Sequence, residues 1–348
     1  MKSHYTIPFF IPHEGCPFAC IFCGQKKITG RGRGIKVPEI SRTISRFLRT
    51  IPKEGTRREV AFFGGSFTGL PISRQKEYLN AVGPFIEKGD IHGIRLSTRP
   101  DYIDSRILDM LKGYRVFCIE LGVQSMSGDV LKAAKRGHTV NDIERSSRLI
   151  LKNGFQLAHQ IMVGLPKSTL SEELKTARMS VAMGANEVRI YPVIVIKATE
   201  LAALWKKRLY RPLTENEAVL RCARLIDLFK KNNVRILRCG LHPSPGLLSG
   251  EAILDGPFHQ AFGQKVRSYL CGEMLKSFFT RERCPASIKH IFFNPFDAAY
   301  VIGYKRQNAA EAESILKRRD IFAASDTVKP GSVIVEYVDG ITKTVGRV

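Results

Sequence analysis

The sequence has few cysteines and no long apolar run, and both shortages narrow what the protein can be. Eight cysteines in 348 residues form no paired spacing of the kind found in secreted, disulfide-rich domains. No apolar run approaches the ~18 residues that a membrane span requires. The segment from Met1 to Pro12 contains two prolines and no small-residue cleavage site, so we expect no signal peptide. These absences favour a cytoplasmic protein without a membrane partner.

Acidic residues are scarce relative to basic ones. The chain carries 55 Lys and Arg against 32 Asp and Glu, a net charge of +23 and a pI near 9.9. Residues 1–50 contain nine basic and two acidic residues, and residues 201–250 contain ten and three. A solvated basic surface is one explanation. A surplus this large favours a polyanionic partner, with nucleic acid ahead of acidic lipid because no amphipathic anchor is evident.

The cysteines that are present include one close triplet, Cys16, Cys20 and Cys23, with the spacing C-x3-C-x2-C. A cubane [4Fe–4S] cluster normally takes four cysteine ligands, so three would leave one iron open for chemistry. Structural zinc is the alternative and also needs four ligands, of which His13 could supply the fourth. The remaining cysteines show no such grouping: Cys118, Cys222, Cys239, Cys271 and Cys284.

Short apolar runs alternate with helical patterns over the first 200 residues. The predicted strands are Ile7–His13, Glu59–Phe63, Gly93–Ser97, Val116–Gly122, Phe155–Val163 and Glu187–Ile194. The predicted helices are one carrying Ile40 and Ile44, then Ser73–Phe85, Asp104–Lys112, Val140–Asn153 and Thr169–Met183. Such repeats predict parallel strands with right-handed crossovers, in an open or curled sheet that binds ligands at the C-terminal strand ends.

The alternation breaks down after about residue 205. We predict a helix from Thr214 to Asn232, a further strand at Val234–Cys239, and irregular structure from Gly240 to Phe262. The end of the chain predicts a β-hairpin, Ser332–Val338 and Ile341–Val345, with a type I′ turn at Asp339-Gly340. We therefore expect a first domain at 1–205, with a cluster loop at 13–30, and a C-terminal extension at 206–348.

The second predicted strand runs into Phe63-Gly64-Gly65-Ser66. Two glycines at that point let the backbone approach a ligand closely, although a tight strand-to-helix turn is the usual reason for them. With Phe22 before Cys23, the triplet and this glycine pair resemble the signature of the radical S-adenosylmethionine (SAM) superfamily. The resemblance implies that the open iron binds SAM and that the Gly64-Gly65 carbonyls accept from its amino group.

Further motifs resemble the radical-SAM domain of the catalytic subunit of the Elongator complex, which modifies wobble uridine in tRNA, and more distantly the oxygen-independent coproporphyrinogen oxidases. They span about residues 5–205 and comprise Ser97-Thr98-Arg99-Pro100-Asp101-Tyr102, Glu120-Leu121-Gly122-Val123-Gln124-Ser125, Arg136-Gly137-His138-Thr139, Met162-Val163-Gly164-Leu165-Pro166 and Arg189-Ile190-Tyr191-Pro192. The resemblance implies an α/β fold, a partial (β/α)6 barrel with a C-terminal α+β extension.

The same resemblance implies a [4Fe–4S] cluster on the three cysteines and SAM as cofactors. Arg136 would pair with the SAM carboxylate, for which a guanidinium is well suited. Gln124 and Gln160 would bind its ribose or methionine groups, and Ser97 stands where the porphyrinogen enzymes carry a glutamate. Residues implied to line the cofactor site are Phe22, Gly64, Gly65, Ser66, Ser97, Gln124, Arg136 and Gln160. For Glu120 and Gln160, a salt bridge and a strand-end cap are the structural alternatives.

Departures from the two families leave the substrate open. We expect no acetyltransferase domain and no N-terminal tRNA-binding extension of the Elongator type, and Gln25 stands where the porphyrinogen enzymes have a further cysteine. We expect a radical SAM enzyme that acts on RNA, with tRNA as the expected substrate. We also expect an electron donor such as flavodoxin or ferredoxin. One alternative is a tetrapyrrole or other small-molecule substrate. Another is an RNA- or partner-binding protein with a structural or redox-sensing cluster.

Overall fold

A computed structural model describes residues 4–11, 15–17, 20–24, 35–282 and 287–347. The chain divides into two compact units, one of residues 1–214 and 225–258 and the other of residues 215–224 and 259–348. The domain boundary expected at residue 205 stays a prediction.

The first unit is built on a seven-stranded parallel sheet whose strands follow one another in chain order. Its strands are β1 (His4–Phe10), β2 (Arg57–Phe63), β3 (Gly93–Thr98), β4 (Val116–Gln124), β5 (Gln156–Val163), β6 (Glu187–Pro192) and β8 (Arg235–Cys239). Because the strand order never reverses, every crossover helix lies on the same face of the sheet. The opposite face carries no crossover helices, and the sheet curls around that face into a half-barrel. The expected partial barrel is confirmed, with a seventh strand added to the six.

The helices of the first unit alternate with these strands. They are α1 (Val37–Leu48), α2 (Ile72–Asn80), α3 (Gly83–Glu87), α4 (Ser105–Lys112), α5 (Gly128–Ala133), α6 (Val140–Lys152), α7 (Leu170–Ala182), α8 (Glu200–Lys206) and α10 (Pro245–Leu248). Local signals fix several starts, since Asp104, Thr139 and Thr169 each accept a hydrogen bond from a backbone N–H in the first turn. Helix α9 (Glu215–Lys231) has residues in both units.

The second unit holds a four-stranded sheet of mixed direction, in the order β11 (Phe322–Ala324), β10 (Ile288–Phe293), β12 (Ser332–Tyr337) and β13 (Thr342–Arg347). Helices α11 (Phe262–Arg281), α12 (Ala298–Val301) and α13 (Gln307–Leu316) accompany it. The core joins Leu275 and Phe279 of α11 to Ile291 and Val335 of the sheet. This is the α+β architecture expected for the C-terminal extension.

Several predicted elements differ in extent. The helix expected over Ser73–Phe85 is wrong as one element, because α2 ends at Asn80 and a second short helix begins at Gly83, with Pro84 in its first turn. The strand expected to reach Ile194 ends at Pro192. Strand β1 begins at His4, ahead of the predicted Ile7, and ends at Phe10; His13 lies outside the described residues.

The segment from Gly240 to Phe262, expected to be irregular, contains helix α10 and a short strand, β9 (Ile253–Asp255). Strand β9 pairs antiparallel with β7 (Val195–Ile196). Three-residue strands carry too little periodicity to be predicted from sequence, since the pairing depends on a partner more than fifty residues away.

The C-terminal hairpin is present, but the type I′ turn is wrong. Gly340 has a φ of +84°, whereas Asp339 does not have a positive φ, which a type I′ turn requires at both positions. The Gly340 N–H donates to the Tyr337 carbonyl at 3.0 Å, and the Tyr337 N–H donates to the Ile341 carbonyl at 2.9 Å. The loop is therefore a three-residue turn with glycine at its left-handed position.

In the described part of the chain, no helix has both the length and the apolar character that crossing a membrane would take.

Candidate active site

The cysteine loop is anchored to the first unit through Ile21. The Ile21 N–H donates to the Ala134 carbonyl at 3.3 Å, and the Leu201 N–H of α8 donates to the Ile21 carbonyl at 2.8 Å. The Ile21 side chain is buried in an apolar cluster with Leu165 and Val193. Ile21 thus fixes the loop between Cys20 and Cys23 against two helices.

Gly15 brings the start of the loop against the turn that follows β2. It has a φ of +69°, and an added Cβ would overlap the Ser66 carbonyl oxygen. Ser66 is itself buried, and its hydroxyl lies 3.0 Å from that of Thr98 and accepts a hydrogen bond from the Arg99 N–H at 3.3 Å. Gly64, at φ +102°, makes the turn. The loop and the glycine pair therefore meet at the C-terminal ends of β2 and β3.

The three cysteines are all free thiols and all half-buried. The Cys23 N–H donates to the Cys20 carbonyl at 2.9 Å, which closes a turn between them. Burial and the neighbouring Cys20 raise the pKa of the Cys16 thiol. Among residues whose placement is described, no three His, Cys, Asp or Glu side chains converge as a ready-made metal site. Coordination by the triplet therefore stays a prediction.

Arg136 reaches the cysteine loop from the segment between α5 and α6. Its Nη1 donates to the Cys20 Sγ at 3.0 Å and its Nη2 donates to the Gly122 carbonyl at 2.8 Å. A side chain at position 122 would meet both Arg136 and Gln124, which explains the glycine. Among the residues that the structure describes, the buried Arg136 Nε and Gln124 Oε1 find no hydrogen-bond partner. Two unsatisfied polar atoms thus lie at the end of β4, where the cofactor is expected.

His138 and Arg99 lie beside this group, although neither was among the predicted site residues. The His138 ring is buried, and burial together with the nearby Arg136 and Arg99 guanidiniums lowers its pKa to about 3. Arg99 donates two hydrogen bonds to Asp101, at 3.0 and 2.8 Å. Arg99 and Arg136 both act electrostatically on Cys16, and their positive charges lower the pKa of its thiol against the larger effect of burial.

Two other predicted residues, Ser97 and Gln160, belong to a second group deeper in the half-barrel. The Gln160 Nε2 donates to Ser97 Oγ and to Glu120 Oε2, both at 2.8 Å. Arg189 donates to both oxygens of Glu120, at 2.7 and 3.0 Å. Glu120 is therefore salt-bridged, the structural alternative that its sequence left open. Contact of Ser97 or Gln160 with SAM stays a prediction.

This second group continues into a buried ionic network centred on Arg95. The Arg95 guanidinium donates to Glu59 at 2.7 Å, to Glu120 at 2.9 Å and to Glu187 at 3.0 Å. Burial raises the pKa of Glu59, but His4 and Arg95 outweigh it, so that the pKa falls to about 2. The pKa of Glu120 is also lowered, because its two arginines outweigh its burial. The carboxylates of Glu59 and Glu120 are therefore ionised at neutral pH.

The predicted residues thus fall into two sets. Cys16, Cys20, Ser66, Gln124 and Arg136 lie close together at the strand ends, whereas Ser97 and Gln160 face the ionic network. Phe22 packs on the apolar cluster around Ile21. Arg95, Glu59 and Arg189 were missed, although charged residues alternating with apolar ones inside buried strands are a signal of a polar inner face.

A cavity of about 250 Å³ lies at the opposite, N-terminal end of the sheet, lined by residues that include Arg57, Glu59, Glu187 and Arg235. None of the predicted cofactor residues lines it. Ligands of parallel strand–helix folds bind at the C-terminal ends of the strands, so the cysteine end remains the candidate site.

A curled sheet of parallel strands, with a cysteine loop and a glycine turn at its C-terminal edge, defines a barrel enzyme with a rim cofactor site. Residues 10–179 match the family described as the radical SAM superfamily, and residues 185–271 match the radical SAM C-terminal domain. The chain therefore belongs to the radical SAM superfamily of enzymes. This superfamily uses a [4Fe–4S] cluster and SAM, which confirms the cofactors expected for its members.

The relatives include proteins of the expected group. An uncharacterised protein of Methanocaldococcus jannaschii is 30% identical over 217 residues, 59% of this chain and 66% of that protein. The tRNA uridine(34) acetyltransferase of Methanocaldococcus infernus is 32% identical over 243 residues, 59% of this chain and 46% of that protein. Elongator complex protein 3 of Schizosaccharomyces pombe is 28% identical over 201 residues, which cover 52% of this chain and 37% of that protein.

The matches thus cover less than two thirds of the length of these relatives. The solved structure of the archaeal Methanocaldococcus infernus Elp3, with residues 1–46 deleted, superposes with a TM-score of 0.60 at 23% identity. That alignment covers 78% of this chain and 63% of the other. It shows that the two chains share a fold.

Proposed function

We propose that this protein is a cytoplasmic radical SAM enzyme that modifies tRNA, holding a [4Fe–4S] cluster on Cys16, Cys20 and Cys23. The donor chemistry fits: three free thiols lie in one short loop, and a cubane cluster with three cysteine ligands keeps one iron open. When bound and reduced by a donor such as flavodoxin or ferredoxin, the cluster would supply the electron that cleaves SAM to the 5′-deoxyadenosyl radical.

The observation that carries this proposal is the approach of Arg136 to Cys20 beside the Gly64–Ser66 turn. A guanidinium next to the cluster loop is placed to bind the carboxylate of SAM, since charge-assisted bonds to carboxylates are among the stronger hydrogen bonds. Beside it, Gln124 presents an amide oxygen that no described residue satisfies, and an acceptor suits the hydroxyl groups of a ribose. The turn backbone would accept from the amino group of SAM.

Support for an RNA substrate comes from the names of the relatives and from charge. Three of the curated relatives act on tRNA uridine(34) by name. Helix α8, whose first turn binds the Ile21 carbonyl, ends at Lys206 and is followed by Lys207 and Arg208, and all three side chains are exposed. Lys206 is five residues beyond Leu201, about 7.5 Å along the helix axis. Further basic residues follow Cys23 in the sequence and would add to such a surface, but they lie outside the described residues: Lys26, Lys27, Arg31 and Arg33.

The substrate is tested by tRNA binding across a salt series. We expect Lys206/Lys207/Arg208→Ala to weaken binding and to reduce the slope of log K against log salt by about one unit for each phosphate that the variant no longer neutralises. The matched control, Lys152/Lys175/Arg178→Ala, removes three exposed charges from α6 and α7 and should bind as wild type does. Equal salt slopes in both triple variants would contradict an RNA site on α8 and favour a small-molecule substrate.

A further inference from the structure

Arg238 stands out in the first unit as a half-buried guanidinium without a counter-ion. It lies on β8 next to Arg189 of β6, its register partner. Arg189 is neutralised by two hydrogen bonds to Glu120. No side chain in the described ranges forms a hydrogen bond or ion pair with Arg238. A partly desolvated charge left unpaired beside a like charge destabilises the fold, so it calls for a reason.

The ion pairs of the inner face leave Arg238 out. Arg95, Arg189 and Arg235 pair with the carboxylates of Glu59, Glu120 and Glu187, and none of these three carboxylates pairs with Arg238. The three arginines other than Arg238 each contact a carboxylate. The uncompensated charge is therefore that of Arg238.

A second donor follows Arg238 in the chain. His242 comes three residues after β8 and is exposed, and desolvation together with the Arg238 and Arg189 guanidiniums lowers the pKa of its imidazole. Burial and the nearby Arg189 also lower the pKa of Arg238. These shifts report a local positive potential that a bound anion would relieve.

The position within the fold suits a substrate. Arg238 is the penultimate residue of β8, and the Gly240 N–H continues the sheet by donating to the Ile190 carbonyl at 2.9 Å. This is the C-terminal edge of the sheet, the same edge that carries the cysteine loop. The cavity lined by Arg235 lies at the other end of the strand, about 10 Å away at 3.3 Å per residue.

We propose that Arg238 and His242 form an oxyanion subsite that holds a phosphate group of the nucleotide to be modified. A guanidinium offers paired N–H donors to phosphate oxygens, and an imidazole adds a third donor. The choice of phosphate over a carboxylate rests on the proposed RNA substrate. Occupation of this subsite would place the nucleotide on the inner face, at the same sheet edge as the cofactor.

The test compares uridine 5′-monophosphate, uridine and inorganic phosphate as ligands of the full chain, by isothermal titration calorimetry. We expect the monophosphate to bind wild type at least about tenfold more tightly than uridine does. Arg238→Gln should abolish this preference, and His242→Asn should reduce it. Arg238→Lys should restore part of it. Arg178→Gln removes the same charge from an exposed site on α7 and should leave the preference intact.

Equal binding of the monophosphate by wild type and by a folded Arg238→Gln variant would overturn the subsite. Binding of inorganic phosphate as tightly as the monophosphate, abolished in Arg238→Gln, would support the anion site. Failure of the proposed function gives a different result. In that case the wild-type protein binds no tRNA and cleaves no SAM. A preference for the monophosphate that is lost in Arg238→Gln would still support the subsite.

Discussion

The guanidinium of Arg136 lies 3.0 Å from the Sγ of Cys20, although the two residues are 116 positions apart in the chain. Its second nitrogen is held by the Gly122 carbonyl at 2.8 Å. The side chain therefore joins the end of β4 to the cysteine loop. The group expected to bind the SAM carboxylate thus donates to a cysteine of the triplet.

From this contact we predict that Arg136→Ala weakens SAM binding about tenfold to a hundredfold, because a hydrogen bond to a charged group is worth roughly 1.5–3 kcal/mol. Iron content after anaerobic reconstitution should stay near that of wild type, since the cysteines remain. Equilibrium binding of SAM to the reconstituted protein measures the first effect, and iron analysis measures the second.

Arg148→Ala is the matched control for this variant, because Arg148 is exposed on the neighbouring helix α6. It should change neither SAM affinity nor iron content. If Arg136→Ala bound SAM as tightly as wild type does, the carboxylate site would have to be placed elsewhere.

The cysteine triplet leads to a second prediction. Replacement of Cys16, Cys20 or Cys23 by Ala should reduce the iron content from near four atoms per chain to a trace. The same variants should release no 5′-deoxyadenosine from SAM. Cys118→Ala should keep the iron, because Cys118 is buried inside β4 and its burial raises the pKa of the thiol well above its usual range. Stoichiometric zinc without iron in anaerobically prepared wild type would refute the cluster.

The sequence predicted the parallel strands, the cysteine loop and the glycine turn because each of these has a local signal, whereas the curling of the sheet into a partial barrel was implied only by the family resemblance. Buried parallel strands are short apolar runs, the cysteines have a fixed spacing, and the Gly64-Gly65 pair follows a strand directly. The motif around Arg136 was placed by resemblance, and its contact with Cys20 follows from no local pattern. The contact between Arg136 and Cys20 depends on how the chain that follows β4 returns to the C-terminal edge of the sheet.

The ionic network and the position of β8 at the edge of the sheet could not be predicted from local sequence signals. Arg95 contacts Glu59, Glu120 and Glu187, which come from three different strands, so only the sheet order brings them together. Strand β8 was predicted as a strand, but its membership of the sheet requires the tertiary structure. Ser97 and Gln160 matched cofactor positions by motif, yet their hydrogen bonds in the structure are to each other and to Glu120.

A third prediction concerns pH. The pKa of Glu59 falls from 4.5 to about 2 on folding, so this group stabilises the protein above pH 4.5, and the stabilisation is lost as the pH falls towards 2. At pH 4 the loss from Glu59 alone is about 1 kcal/mol. Urea unfolding between pH 7 and 4 should show a smaller decline for Glu59→Gln than for wild type. Glu77→Gln, at an exposed carboxylate paired with Arg74, should decline as wild type does.

The last prediction uses two glycines with nearly the same backbone conformation. Gly15 has φ +69° and Gly55 has φ +66°, so alanine carries a similar backbone strain at either position. At Gly55 an added Cβ meets nothing within 4 Å, whereas at Gly15 it overlaps the backbone of Ser66 and Gly69. We expect Gly15→Ala to displace the cysteine loop from the glycine turn, and therefore to lower both reconstituted iron and SAM affinity. Gly55→Ala should lose only a little thermal stability and keep both. Should Gly15→Ala reconstitute as completely as Gly55→Ala, the packing of the loop on Ser66 would not be needed to form the cofactor site.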